Sequence, residues 1–492
     1  MRRKRTWSSI LAAALAVTIA APAAAAPPPR IKTLIIDEAA AARINDKLAR
    51  NRNVVLHTGL AETAGKMPPT PAGDIVILAP IDWNTGATLT IDAYHSIIVS
   101  APVTVSGPGG LVLQYNDAAT DGDLVFTGAT ASHDGNNVAF TDVVEGVTQG
   151  TLTINGNPYT LVNNLSQLSS AMTANQFGYF ALADSYDAAG DGTYTAAPGP
   201  QLDGIFEGLG NTVANLKMFC AAGGNTYGLI GVMHSGAVVR DIGMVDVNYA
   251  GPRGVAVFIG GVVGFNANGT VVHAYTRGNS LINEKGSHGA AGGLVGSNRN
   301  GAVALSFASV TVKAGFSSVV GGLVGDNSGT IARSYAVAAV ACTKDCYSGA
   351  LAGINRTNGG FDVGTIAETY ALGSTTAHKI AYVGGLLGAN GGYDTGGSIA
   401  GSYAAAAVTA GAGTRQGGFL GTDIGHASLS YWDTDVSGQS QAAGDPPNDP
   451  GITGLTTAQF QAGLPAGFDP LTWGQDPSLN NGYPYLLALP PD

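Results

Sequence analysis

A five-residue pattern, Gly-Gly-apolar-apolar-Gly, returns at near-constant intervals and restricts this chain more than any other feature. It reads Gly260-Gly261-Val262-Val263-Gly264, then Gly292 to Gly296, Gly321 to Gly325 and a weaker Gly349-Ala350-Leu351-Ala352-Gly353. Gly384 to Gly388 and Gly417-Gly418-Phe419-Leu420-Gly421 complete the series, and Tyr227-Gly228-Leu229-Ile230-Gly231 is a degenerate first copy. From Tyr227 onward the steps are 33, 32, 29, 28, 35 and 33 residues. Six residues after each first glycine stand Asn266, Asn298, Asn327, Asn355, Asn390 and finally Asp423. A later glycine precedes an aromatic by six positions in every copy: Gly269 and Tyr275, Gly301 and Phe307, Gly329 and Tyr335, Gly364 and Tyr370, Gly397 and Tyr403, Gly425 and Tyr431. In the degenerate copy Gly236 and Ile242 take these places.

Spacing inside each unit is fixed while the linkers vary, as expected of stacked repeats with tolerant loops on one face. The core is too glycine-rich for a helix interior, and short alternating runs such as Ile331 to Val340 read as strands. Equivalent residues then lie ~4.8 Å apart along one axis. On that reading the asparagines form a buried ladder, each amide bonding to the next, and the aromatics form a column with large apolar area. The expected fold is all-β: a right-handed parallel β-helix, or solenoid, with short capping helices. Composition agrees. Glycine is 72 of 492 residues, about twice the usual ~7%, and does not recur every third position, which excludes collagen. Charged residues are only 12% and hydrophobic residues 45%, the reverse of a disordered chain.

The flanks extend the pattern. Asp74 to Leu113 alternates in strand fashion, with Ile75-Val76-Ile77-Leu78, Leu89-Thr90-Ile91 and Ile97-Ile98-Val99 separated by turns. Ile36 to Arg50 places Ile36, Ala40, Ile44 and Leu48 at helical spacing with Asp37 as cap, a helix suited to covering an open end. Val162 to Gln176 predicts a second helix with Leu165, Leu168 and Met172 on one face. Beyond the Pro-containing linker Asp445 to Pro450, Thr456-Thr457-Ala458-Gln459 matches a capping box. Trp473, Tyr483 and Tyr485 are expected to pack back on the last rung, because terminal rungs need caps. Met1 to Ala26 reads as a secretory leader: basic Arg2 to Arg5, apolar Ile10 to Ile19, then small residues. No later stretch reaches the 18 or so apolar residues of a spanning helix. The predicted layout is a signal peptide over 1–26, an N-terminal β-helical region over 27–225, tandem repeats over 226–440 and a linker with C-terminal cap over 441–492.

Gly321-Gly322-Leu323-Val324-Gly325, with Asn327, Gly329-Thr330-Ile331 and Ser334-Tyr335-Ala336, closely resembles the GLUG motif that occurs in tandem in bacterial secreted and surface proteins. Phe206-Glu207-Gly208-Leu209-Gly210-Asn211-Thr212-Val213 with Asn215-Leu216 resembles the strand that often leads into such arrays. Asp74 to Leu113, with Trp83, Tyr94 and Ile97, is similar to segments of filamentous-haemagglutinin-like adhesins. The resemblance implies an exported, adhesin-like β-helix that binds through its loops and flanks. Its partner would be a glycan or protein on a host or neighbouring cell. The formal charge of −11 becomes −15 without the four leader cations, a poor match for nucleic acid.

Catalytic signatures are sparse. The eight histidines form no His-Glu-x-x-His zinc site, and neither a Gly-x-Ser-x-Gly elbow nor a phosphate-binding loop occurs. The expectation is no enzyme activity, no catalytic or metal residues and no cofactor. The competing reading is a carbohydrate-active enzyme on the same scaffold. Asp184, Asp187, Asp191, Asp203 and Glu207 are its candidate acids, since two carboxyls about 5–10 Å apart can cleave a glycoside. Asp433-Thr434-Asp435-Val436-Ser437-Gly438 opens like a calcium loop, but Gly444 stands where a bidentate Glu is needed; an Asx-rich turn fits better. Cys342 and Cys346, four apart, are placed either to bridge in an oxidising compartment or to stay free thiols.

Overall fold

A computed structural model of the protein describes residues 32–58, 72–117, 122–127, 137–220, 225–358, 362–391, 396–447 and 449–491; the leader read over 1–26 lies outside them. The described chain is nearly all β. Parallel strands stack into a solenoid of about eleven turns, with four short α-helices, Glu38–Ala49, Leu165–Ala174, Thr434–Ser437 and Thr457–Gln461.

Repeat spacing translates directly into register. Gly260, Gly292, Gly321, Gly349, Gly384 and Gly417 are successive partners in one sheet. The residue beside them is glycine in five of the six copies and alanine, Ala350, in the other, because neighbouring turns nearly touch. A Cβ on Gly322 would lie 2.0 Å from the Ala350 carbonyl oxygen of the next turn. The asparagines pair in a second sheet, and each side-chain amide donates to the next residue's Oδ1. The distances are 2.9 Å from Asn266 to Asn298, 2.8 Å to Asn327, 2.8 Å to Asn355, 3.0 Å to Asn390 and 3.0 Å to Asp423. Where this sheet bends into the next, one residue per turn adopts left-handed backbone: Asp241, His273, Leu305, Arg333, Glu368, Gly401 and Leu429. Six of the seven are not glycine, so stacking overrides a local cost of about 1–2 kcal/mol at each.

The aromatic column is on the outside of the tube. In Phe307–Phe316, Ala308, Val310 and Val312 point into the main core, so Phe307 points away from it. Its rings stack at 5.1, 5.0, 4.6 and 5.3 Å from Tyr275 through Phe307, Tyr335 and Tyr370 to Tyr403. The C-terminal region lies over this column. Phe460, Phe468, Trp473, Tyr483 and Leu486 cluster against it, and the Tyr403 and Tyr431 hydroxyls donate to the Pro484 and Ala466 carbonyls at 2.6 Å each. Trp473 and Tyr483 therefore cover the flank of the solenoid, Trp473 against Tyr370 and Tyr403, and reach its last repeat, where the Tyr483 hydroxyl donates to Asp433 at 2.6 Å. An external ring stack exposes apolar area that only a lateral cover can bury. Tyr485 remains partly exposed in a short pairing of Gly474 with Tyr485.

The degenerate copy is also corrected by one residue. Ala237 and Gly243, not Gly236 and Ile242, align with Gly269 and Tyr275. Ile242 is buried in the core, and Gly243 leaves room for the Tyr275 ring, whose Cζ would lie 2.3 Å from a Cβ there.

Two apolar cores lie along the chain, one built from Ile36 to Leu209 and one from Val162 to Ile452. They meet at a shared sheet. Thr151–Ile154 pairs parallel with Gly110–Gln114 but antiparallel with Asn157–Val162, which pairs parallel with Tyr179–Leu182. The chain direction reverses there. Leu161 and Ala181 face the first core, and Val162, Phe180 and Leu182 face the second.

The N-terminal helix is shorter than its periodicity suggested. Ile36 belongs to the strand Lys32–Ile36, Asp37 caps through Ala40 N at 2.8 Å, and Ala41 joins Ile44 and Leu48 on the buried face in place of Ala40. The second helix likewise starts at Leu165 because Asn164 caps it. Thr456 and Gln459 form the expected capping box.

Candidate functional site

The five acids proposed for catalysis do not form one set. Asp187 accepts from Asn215 Nδ2 at 2.8 Å. Asp191 accepts from the Tyr186 and Tyr194 hydroxyls, both at 2.6 Å. Asp203 is tied to His234 at 2.7 Å and to Gln176 at 2.7 Å. Asp184 accepts from Ser185 N at 2.7 Å, and burial raises its pKa. Glu207 alone enters the interior, 1% exposed.

Glu207 belongs to a cluster that the sequence did not assemble. Stacking puts Glu207, Arg240 and Val272 on successive turns, and Asp241 and His273 occupy the left-handed corner beside them. Arg240 Nε lies 2.9 Å from Glu207 Oε2 and 2.8 Å from Asp241 Oδ2. Its Nη1 donates to the Tyr115 hydroxyl at 2.9 Å, and Nη2 lies 3.2 Å from Asp123 Oδ1. His273 Nδ1 stands 3.3 Å from Asp241 Oδ1. Tyr115 and Asp123 come from the N-terminal stack, so the cluster joins the two stacks. Burial, then the neighbouring Asp241, pushes the Glu207 carboxyl well above its ordinary value. Burial also opposes ionisation of Asp241, yet Arg240 and His273 hold that carboxyl below its ordinary value. The two neighbours are thus pushed in opposite directions, Glu207 upward and Asp241 downward. Desolvation lowers the His273 pKa less than Asp241 raises it, so His273 is shifted upward, and burial lifts Tyr115 to about 12.

Two neighbouring carboxyls whose pKa values are driven apart have the pattern of an acid–base pair. The space does not suit a substrate. The adjoining gap, between Phe126, Gly210, Asp241, His273 and Tyr275, is too narrow to hold even a water molecule. Leu209 N also donates to Glu207 Oε1 at 2.8 Å. The arrangement can pin two stacks together and cannot admit a sugar.

The calcium-loop reading also resolves into structure. Asp433 is fully buried and caps Thr434–Ser437 through Asp435 N at 2.8 Å and Val436 N at 2.9 Å. Its other oxygen accepts from Tyr483 at 2.6 Å and Thr457 at 2.7 Å. Among the described residues no group of three or more His, Cys, Asp or Glu side chains is placed to hold a metal ion. Cys342 and Cys346 are joined as a disulfide, which sequence spacing left open, and Cys220 is a buried free thiol.

An open concavity of about 570 Å³ lies on the outer face of the aromatic sheet, beside the covered column. Successive strands Phe307–Phe316, Tyr335–Lys344 and Tyr370–Lys379 form its floor, and the turn from Gly278 to Leu281 forms one end. Ser309, Thr311 and Lys313 alternate outward along the first strand. Val337 and Ala339 stand next to Ser309 and Thr311 on the second, and Ser374 next to Ala339 on the third. No carboxylate lines it. These are the outward positions of each repeat, where side chains differ between copies, so repeat analysis passes over them. The only signal in sequence is the polar alternation Ser309, Thr311, Lys313.

No family model matches the chain, and no curated protein matches it. A solved structure from Bacteroides ovatus, described as a candidate immunoglobulin A1 protease, superposes with a TM-score of 0.43 at 20% identity, over 67% of this chain and 93% of that one. A likeness at this level carries nothing about activity.

Proposed function

We propose that this chain is an exported, adhesin-like interaction protein of the tandem GLUG type, without catalytic activity, that binds a glycan or protein on another cell's surface. The observation that supports this reading most is the lateral concavity. It is open, formed on a fully paired sheet and lined by hydroxyls, an amide and one ammonium group. The acids that a glycosidase would need are instead engaged one by one in hydrogen bonds, or enclosed where no sugar fits. A disulfide at Cys342 and Cys346 suits an oxidising compartment, and the acidic balance disfavours nucleic acid.

A glycan array probed with purified protein tests the binding, and intact-mass analysis of exported material tests loss of residues 1–26. Binding to intact cells or to immobilised glycans is expected, with no turnover in a polysaccharide screen. Turnover that is lost in folded Asp203→Asn or Glu207→Gln variants would replace this reading with the enzyme.

A further inference from the structure

We infer that the concavity between the Gly278–Leu281 turn and Ser374 is a subsite for a short acidic oligosaccharide, with Lys313 binding the sugar's carboxylate or sulfate. The inference rests on the binding function proposed above and names its ligand class.

Backbone pairing selects against a peptide. The strands under the concavity are bonded on both sides, Phe307–Phe316 to Leu281–Ser287 and Tyr335–Lys344, and Tyr370–Lys379 to Tyr335–Lys344 and Tyr403–Ala410. An extended peptide thus finds no free strand edge to join. Recognition falls to side chains alone, and those present are Ser309, Thr311 and Ser374 hydroxyls with Asn279. Hydroxyls and amides match the alternating donors and acceptors of a sugar. Val337 is 37% exposed on the floor and, with Ala339, gives a small apolar patch for the C–H face of a pyranose ring. From the Gly278–Leu281 turn to Tyr370–Lys379 the floor crosses three strand spacings, about 14 Å, which accommodates more than one sugar unit.

Charge selects the acidic class. Lys313 is exposed and is the one charged residue lining the concavity. Among the described residues no carboxylate is paired with it, so its charge is not spent on a neighbour within the concavity. Asp246, beside Gly278, is engaged elsewhere: its Oδ1 accepts from Asn279 N at 2.7 Å. With no carboxylate among the residues around it, this ammonium leaves an anion as the complementary ligand.

The test is glycan binding by the full chain, using uronate-containing, sulfated and neutral oligosaccharides as separate arms. Lys313→Gln is expected to weaken the acidic arms about tenfold, the value of one charge-assisted hydrogen bond, and to leave neutral glycans unchanged. Ala339→Glu, which adds a carboxylate to the floor, is expected to abolish acidic binding. Lys379→Gln, outside the concavity, serves as control, and circular dichroism confirms that each variant is folded. Acidic glycans bound equally by native protein and both groove variants would overturn this subsite while leaving the general binding function standing. Preference for neutral glycans would overturn the acidic class. Binding to cells but to no saccharide would overturn the subsite and favour a protein receptor. Binding to neither would overturn both readings.

Discussion

Replacing Asn327 with aspartate changes one atom's chemistry in the middle of the amide ladder and leaves shape almost constant. Asn327 Nδ2 donates to Asn355 Oδ1 at 2.8 Å and to Gly329 O at 3.1 Å, while Oδ1 accepts from Asn298 at 2.8 Å and from Gly329 N at 3.3 Å. Asn327→Asp keeps the accepting side. It replaces the donor by an oxygen facing two other oxygens at those same short distances. When protonated, the introduced carboxyl restores one of the two donor contacts, so the cost at low pH is about 1 kcal/mol. When ionised it is a buried charge facing two oxygens. Its folded pKa must rise above the unfolded value of about 3.9, and each unit of rise is worth about 1.4 kcal/mol. Asp423, which ends the same column, is already pushed up to about 6 by burial and by Asp449. A fully enclosed position should exceed that. A raised acid contributes stability below its unfolded pKa and loses it as pH rises through the folded value. The variant should therefore lose a further ~3–4 kcal/mol, relative to native protein, between pH 4.5 and 7.5. Urea denaturation followed by circular dichroism at three pH values measures this, with the exposed Asn300→Asp as control. A difference from native that stays flat with pH would refute the ladder as a buried, directional hydrogen-bond chain.

Deleting Gly292 to Val320, one whole repeat, should cost about one inter-turn interface, because Gly321 then takes the place of its partner Gly292. Deleting only Gly292 to Leu305 should unfold the array, and thermal melts of both deletions separate the cases. Arg240→Met should destabilise by about 3–5 kcal/mol by leaving Asp241 buried without its main counter-charge; addition of Asp241→Asn should recover part of that loss, and no recovery would argue against an electrostatic role. In native protein Asp423 contributes stability that is lost as pH rises through about 6. Asp423→Asn should therefore flatten the melting temperature between pH 5 and 7.5, and an unchanged slope would assign that dependence elsewhere.

Residues that repeat were the legible ones. Asn298, Asn327 and Tyr335 sit at fixed offsets because each turn needs the same hydrogen bond and the same ring, and their partners followed by counting. Whether Tyr335 points in or out was not legible. Alternation fixes only that Tyr335 and Ala336 take opposite faces, and a buried tyrosine looks alike under a core or under a cover formed more than a hundred residues later. Glu207, Arg240, Asp241 and His273 could have been found by extending the repeat period back before Tyr227, which places opposite charges one turn apart. Tyr115 and Asp123 could not, since their approach depends on the strand reversal at Asn155 and Gly156. Lys313 was invisible to repeat logic because its equivalents, Ala341 and Thr376, are chemically unlike it.

The amide ladder has a direction, and with direction comes a rule for how such an array can grow. Every side-chain amide gives its hydrogen toward the C-terminus, so a duplicated unit inserted anywhere between Asn266 and Asn390 finds an acceptor ahead and a donor behind. It is grammatical wherever it lands. The first unit tolerates having no asparagine before it, since Met233 stands there and the Asn266 Oδ1 is occupied by Gly269 N at 2.8 Å. The last unit differs in kind. Asp423 receives from Asn390 and Gly425 N, and an ionised carboxylate has no hydrogen to pass on. It acts as a stop codon written in side-chain chemistry. Copying or deleting interior units would lengthen or shorten the array without breaking the chain of amides, whereas a unit added past Asp423 would start a new chain, as Asn266 does after Met233.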